Sequence, residues 1–336
     1  HEPRCYRYHH LFADLLRQRL HQLAASTPGG KGLKLSDLHM RASIWYEEND
    51  LRAKALHHAF AADDFDRAAN LIELAWPEMD QSYRNDAWLV WLKKLPEKMI
   101  RARPVLCAGY AWALLDKGEV DDIEPLLRDA ERWLDASAET SERLKDPSTK
   151  MVVADPKQFQ SLPASIAGAR ATRALILGNV SETLNYAHMA LDIVPEDDHF
   201  RRGAIAGTLG IAHWTCGDLD AAYRHLNDCV IHLQMAGHIH LASSVTFVLA
   251  DIRQVQGRLP EAVRAYESSL QLVAASNESV PLASADLYLG LSALNREQGD
   301  MEAAAQHLRR SKELGELAAL PGWQYRWYLA QARLKE

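Results

Sequence analysis

Only four cysteines occur among 336 residues, and Cys5, Cys107, Cys216 and Cys229 form no C-x-x-C pair. That absence removes the ligand spacing of a zinc ribbon or a thioredoxin-type centre and predicts isolated, buried thiols. No apolar run approaches the ~18 residues of a membrane helix, and the opening residues carry no apolar h-region. The expected setting is the cytoplasm, with no membrane partner. Positive charge is also in short supply: 38 Lys and Arg stand against 45 Asp and Glu, for a net charge of −7. Nucleic-acid-binding domains carry a basic face, so direct contact with DNA or RNA is not expected.

Catalytic signatures are missing as well. There is no G-x-S-x-G, no H-E-x-x-H and no cysteine with an evident histidine partner, and the carboxylates fall on periodic polar helix faces. No enzyme activity is expected, and no cofactor. The 15 histidines predict no metal site: His9-His10 and His57-His58 point to different sides of their helices, and His238-x-His240 lacks a third ligand at plain spacing. The loop TPGGKGLKLSD (Gly29, Gly30, Lys31, Gly32) lacks both the Ser or Thr after the lysine and the preceding strand of a phosphate-binding loop. It reads as a linker, with Leu35 packing ahead of a helix capped by Ser36.

What the chain does contain is repetition. The phrases LLDKGEVDDIEPLL, LILGNVSETLNYA, WTCGDLDAAYRHL, QVQGRLPEAVRAY and NREQGDMEAAAQHL align on Gly118, Gly178, Gly217, Gly257 and Gly299, the last four spaced by 39, 40 and 42 residues. Seven residues before each glycine stands a small residue (Ala111, Ala171, Gly210, Ala250, Ser292), and five after it Ile123, Thr183, Ala222, Ala262 or Ala304. Small residues at fixed offsets let two antiparallel helices approach, and glycine takes the positive φ that ends a helix. The unit is a helix, a tight turn and a second helix. Two earlier pairs are looser, with Asp63 in the glycine's place before DFDRAANLIELA. Between residues 137 and 163 the pattern fails, which predicts an irregular or β-hairpin insertion with a short strand at Met151–Val153.

Both ends read as interrupted. RCYRYHHLFADLLRQRL has the stripe of a helix that buries one face, with no partner upstream, and WQYRWYLAQARLKE looks like a further first helix without its turn. The expectation is a piece of a larger chain.

The repeat spacing resembles the tetratricopeptide repeat (TPR), at a longer period of about 40. Taken with YRYHHLFADLLRQRL, LHMRASIWYEENDLRAKALHHAFAADDFDRAANLIE, WLKKLPEKMIRARPVLCAGYAWALLDKGEVDDIEPLL, VPEDDHFRRG and HLRRSKELGELAALP, the chain resembles the middle of the large MalT-like, LuxR-type regulators. In that family a STAND ATPase precedes a winged helix, a helical linker, a TPR-like sensor and a DNA-binding helix-turn-helix. The resemblance implies an all-α, right-handed superhelix. Residues 1–26 would be the end of the winged helix, 35–103 the linker and 104–336 the sensor. ATP would belong to a module outside this sequence, and the partners would be the rest of the parent chain and an inducer. No inducer-contact motif can be matched.

In such arrays the first helix of each repeat lines the concave side. Counting from the glycines places Trp112, Thr172, Trp214, Thr215, Ser244, Phe247, Asp251, Gln254, Asp286, Arg296, Gln324, Trp327 and Gln331 there. Trp112, Trp214, Phe247, Asp251, Gln254, Arg296, Gln324 and Trp327 are the leading ligand-binding candidates, because indole faces stack and amides or charges give directional hydrogen bonds. The aromatic members could equally pack between helices. Two functions follow: a sensor whose groove binds a small inducer, or a scaffold whose groove takes a peptide or regulatory protein.

Overall fold

The computed structural model describes residues 12, 15, 16, 18, 19, 34–82, 84–134, 151–275, 281–318 and 323–335. The opening helix (most of its residues), the glycine-rich loop, Cys5 and the His9-His10 pair lie outside them. Among the described residues the regular structure is entirely helical, and the chain divides into two units, residues 1–162 and 163–336.

The first unit contains α1 (Leu35–Glu48), α2 (Arg52–Ala61), α3 (Phe65–Gln81), α4 (Asn85–Leu92), α5 (Glu97–Arg101), α6 (Pro104–Leu115), α7 (Ile123–Glu131) and α8 (Pro156–Gln160). Helix α1 starts one residue before Ser36; its cap is Lys34, and no side chain closes it. This corrects the expected serine cap. Asp63 has φ 56°, as its alignment with the turn glycines requires, and Asp64 beside it accepts a hydrogen bond from the Arg67 amide. Asp50 has φ 57° and obeys the same offsets, with Ser43 seven residues before it and Ala55 five after. The Ser43 hydroxyl donates to the Ala55 carbonyl at 2.8 Å, just as Ser292 donates to Ala304 in the second unit. So α1 and α2 form a repeat whose turn glycine is an aspartate, one of the few side chains that tolerate that conformation.

The second unit alternates first and second helices: α9 (Leu162–Ile176) with α10 (Val180–Ile193), α11 (His199–Thr215) with α12 (Leu219–Met235), α13 (Ile239–Val255) with α14 (Leu259–Ala275), and α15 (Pro281–Glu297) with α16 (Met301–Ala318). Helix α17 (Trp323–Lys335) follows as an unpaired first helix. The turn between partners is built one way throughout. At Gly217 φ is 87°; the Gly217 amide donates to Trp214 and the Asp218 amide to His213, the bond pattern of a Schellman cap. The Asp218 side chain then accepts from Ala221 and starts the next helix. Asn179 and Asp300 cap their helices in the same manner. Residues five after the glycine, from Ile123 and Thr183 to Ala304, are fully buried. Those offsets are therefore the helix-to-helix contact, and the fold is an array of TPR-like helix pairs.

No strand forms at Met151–Val153. The Val152 amide donates to Ala102, and the Ala154 and Asp155 amides donate to the Glu73 carboxylate. A helix-end carbonyl and a buried carboxylate thus take the donors that a hairpin would have needed. Cys107 and Cys229 are buried, where burial pushes each thiol up to about 12. Cys216, at the end of α11, is exposed, because the turn glycine that follows it carries it to the surface.

Candidate functional site

Successive first helices α13, α15 and α17 pack side by side in the second unit. Each turns an i, i+4, i+7 stripe to one cavity of about 260 Å³: Phe247, Asp251 and Gln254 from α13, Leu289, Ala293 and Arg296 from α15, and Arg326, Ala330 and Arg333 from α17. That spacing is one face of an α-helix, so the three stripes run parallel and place Gln254, Arg296 and Arg333 at corresponding ends. Leu329 and Leu334 complete the apolar wall, and Tyr266 of α14 reaches in from below.

The Tyr266 floor depends on Gly290. A Cβ on Gly290 would overlap the Tyr266 ring, so the missing side chain is what lets the phenol lie under α15. Tyr266 is only 2% exposed and meets Phe247 edge-on at 5.9 Å. Burial, joined by the negative charges of Asp251 and Asp286, pushes its pKa upward, so the floor stays uncharged at neutral pH. Asp251 is half-buried, and desolvation raises its carboxyl above the usual range. Across the cavity, Arg326 holds Asp286 at 3.0 and 3.1 Å, while Arg296 has the neighbouring Glu297 at 3.7 Å.

Of the residues expected from sequence, the structure gathers Phe247, Asp251, Gln254 and Arg296 into this cavity. Trp214 occupies the register of Gln254 on α11 and is 40% exposed, outside the cavity lining. Trp112 belongs to α6 of the first unit. Trp327 does not face the cavity: it is buried, donating its indole N–H to Leu308 at 3.0 Å. Gln324 is exposed and lies outside the lining. The α17 face was hard to count because no turn glycine follows it within the sequence. Extending the α13 and α15 offsets picks out Arg326, Ala330 and Arg333 instead. Tyr266 and Gly290 needed knowledge of which second-helix side chain passes beneath which first helix.

The histidines pair across helices, which their sequence spacing did not announce. His39 and His58 meet at 2.8 Å through their Nδ1 atoms, His199 and His232 at 3.2 Å, and His213 stacks on His225 at 5.3 Å between ring centres. No cluster of three metal-binding side chains occurs among the described residues. Burial, chiefly, lowers the pKa of His58, His225, His232 and His307. The unfolded chain takes up these protons near pH 6.5 and the folded chain only below that. The stability they confer is therefore complete above about pH 6.5 and is lost as pH falls from there toward the folded values. Urea midpoints measured at pH 7.5 and 6.0 should drop at the lower pH; an unchanged or rising midpoint would contradict the assignment.

No described helix is long and apolar enough to cross a membrane. Residues 164–336 match the family described as the MalT-like TPR region, a span that coincides with the second unit. The serine/threonine-protein kinase PknK of Mycobacterium tuberculosis, and that of Mycobacterium bovis, are 34% identical over 112 residues, 33% of this chain and 10% of the kinase. The chain thus spans about a tenth of the length of these curated relatives. A Pyrococcus horikoshii Signal Transduction ATPase with Numerous Domains (STAND) protein with a tetratricopeptide repeat sensor superimposes with a TM-score of 0.62 at 12% identity. That match covers 90% of this chain and 42% of the other. A tetratricopeptide repeat protein from Parabacteroides merdae gives 0.49 at 12% identity, covering 90% and 98% of the two chains.

Proposed function

The chain belongs to the MalT-like TPR region family, and from that premise we propose that it is the sensor portion of an ATP-dependent regulator, with the α13–α15–α17 cavity as its inducer site. A repeat domain of this family is a regulatory sensor or a protein-interaction domain, on a fold type that typically serves as a non-catalytic scaffold. One observation carries the finer reading: the cavity has an aromatic floor, apolar walls and a few convergent polar groups, the composition of a small-molecule site. Its volume of about 260 Å³, just below the roughly 300–1,000 Å³ usual for such sites, suits a small metabolite better than a protein segment.

In this proposal residues 1–26 end a winged helix, 35–103 form the linker, and the sensor runs from 104. ATP is bound and DNA contacted by modules outside this sequence, in the cytoplasm, as in a LuxR-type activator. The STAND protein with a TPR sensor supports a pairing of ATPase and repeat array. Because α13, α15 and α17 each give a stripe to one cavity, a bound inducer would draw three repeats together. Such a ligand shifts the parent only by its preference for one curvature over another.

A thermal-shift screen of this chain against sugars, aromatic acids, amino acids, short peptides and acyl conjugates tests the proposal, since a ligand selective for the folded state raises Tm. A saturable rise, abolished by Gln254→Ala or Arg296→Ala at unchanged ligand-free folding, is the expected result. Silence across the screen, with a protein partner bound in the same groove, would transfer the assignment to the scaffold.

A further inference from the structure

We infer that the α13–α15–α17 cavity takes a short zwitterionic ligand with an apolar body, of the dimensions of a hydrophobic dipeptide, its ammonium end at Asp251 and its carboxylate end at Arg333. This rests on the reading of the cavity as a small-molecule site.

Five ionisable side chains other than Tyr266 line the cavity, and two of the arginines already have carboxylate neighbours. Arg326 is held by Asp286 from both oxygens, and Arg296 lies 3.7 Å from Glu297. The remaining two are Asp251 and Arg333, neither of which has an ion pair or hydrogen bond among the described residues. They have opposite signs and come from the two outer walls, α13 and α17. A half-buried carboxylate with no ion-pair partner among the described residues is unfavourable by itself, as its raised pKa records, and a cationic group on the ligand would relieve it.

The spacing argues for more than one amino acid. Neighbouring packed helices lie about 8–10 Å apart, so walls two helices apart leave several ångströms after both side chains reach inward. That exceeds the gap between amine and carboxylate within a single residue. It suits two residues of extended chain, at about 3.3–3.6 Å each. Beside the two charged groups the lining is Phe247, Leu289, Ala293, Leu329 and Ala330, which calls for apolar side chains rather than hydroxyls. Gln254 and Arg296, in the same row as Arg333, are placed to serve a peptide amide and to add a second donor for the carboxylate.

The test is calorimetric titration of the whole chain with Leu-Leu, Val-Leu and Phe-Leu, each in four forms: free, N-acetylated, C-amidated and capped at both ends. Maltose-type sugars and free leucine serve as controls. Free dipeptides should bind; N-acetylation should weaken binding at least about tenfold, because Asp251 is half-buried, and amidation by less, about two- to fivefold, because Arg333 is exposed and its pair is screened by water. Asp251→Asn should erase the penalty for N-acetylation alone, and Arg333→Gln the penalty for amidation alone. Arg333→Gln is a surface change and Asp251→Asn an isosteric one at a half-buried position, and the folding of both is checked by Tm. Equal binding of free and doubly capped forms would overturn the inference. So would a sugar that binds, loses affinity on Gln254→Ala and ignores Asp251→Asn, although the cavity would remain a sensor site. Failure of every small molecule to bind would overturn both.

Discussion

Glu73→Ala is expected to destabilise the first unit by about 3–5 kcal/mol, the cost of leaving a buried charge without its partner. Glu73 sits inside α3, fully buried, and Arg103 is only 1% exposed. The guanidinium donates to Glu73 at 3.2 Å and to the Asn70 side chain at 2.8 Å. The other carboxylate oxygen accepts from the Ala154 and Asp155 amides at 2.7 and 3.2 Å. One side chain therefore ties α3 to the start of α6 and to a segment 81 residues farther along the chain. Burial is the largest influence on Glu73 and raises its pKa despite four opposing contributions from Ala154, Asp155 and Arg103. Desolvation thus weighs more on the carboxylate than its contacts return, yet any neutral replacement also strips the buried Arg103 of its counter-charge. Glu73→Gln keeps an acceptor for the Ala154 and Asp155 amides but still removes the counter-charge of Arg103 and turns an N–H toward it, so it should cost about 3 kcal/mol, the low end of the same range. Urea unfolding followed by tryptophan emission reports on the right place, because Trp76 lies on the same helix as Glu73 and meets Trp88 at 4.7 Å between ring centres, tilted by 55°. A loss below about 1 kcal/mol for Glu73→Ala would mean that water enters and solvates Arg103, and that the pair contributes little.

That network also marks where the sequence stops being legible. Repeat offsets are local: a turn glycine fixes which residues of two adjoining helices touch, so Ala111, Gly210 and Ser292 could be placed on the contact line from spacing alone. The first-helix faces of α13 and α15 followed from the same count, which is why Phe247, Asp251, Gln254 and Arg296 arrive together at one cavity. Glu73 looks like a surface residue in NLIELA, because its partners come from 30 and 81 residues away and no periodicity encodes them. Trp327 fails for the opposite reason. Its helix has no following glycine in this sequence, and an indole on a helix is equally suited to a groove or to the Leu308 carbonyl it meets. The histidine contacts depend on the pitch between neighbouring repeats, which side-chain spacing within one helix cannot supply.

Gly290 should prove as sensitive as a large core residue although it has no side chain to lose. Any Cβ there would overlap the ring end of Tyr266, and that ring is enclosed by the cluster of Ala250, Ala262, Leu287, Leu291 and Leu294. The ring can yield only toward the cavity it floors, at the cost of its place in that cluster, so Gly290→Ala is expected to cost about 1–3 kcal/mol, the range for overpacking. Tyr266→Ala should cost about 3–5 kcal/mol, the range for emptying an aromatic site. The two effects share one contact and so will not add. Tyr266→Leu shortens the side chain that meets position 290, and the double variant Gly290→Ala with Tyr266→Leu should be more stable than the sum of its parts by at least about 1 kcal/mol. Strict additivity would mean that α15 shifts bodily away from α14 and that the ring is not the limiting neighbour. The distinction bears on function, since the same ring is the cavity floor. If the phenol yields and α15 stays, Gly290→Ala fills the cavity from below and weakens ligand binding. If α15 moves, α13 and α17 part and every lining residue loses its register at once.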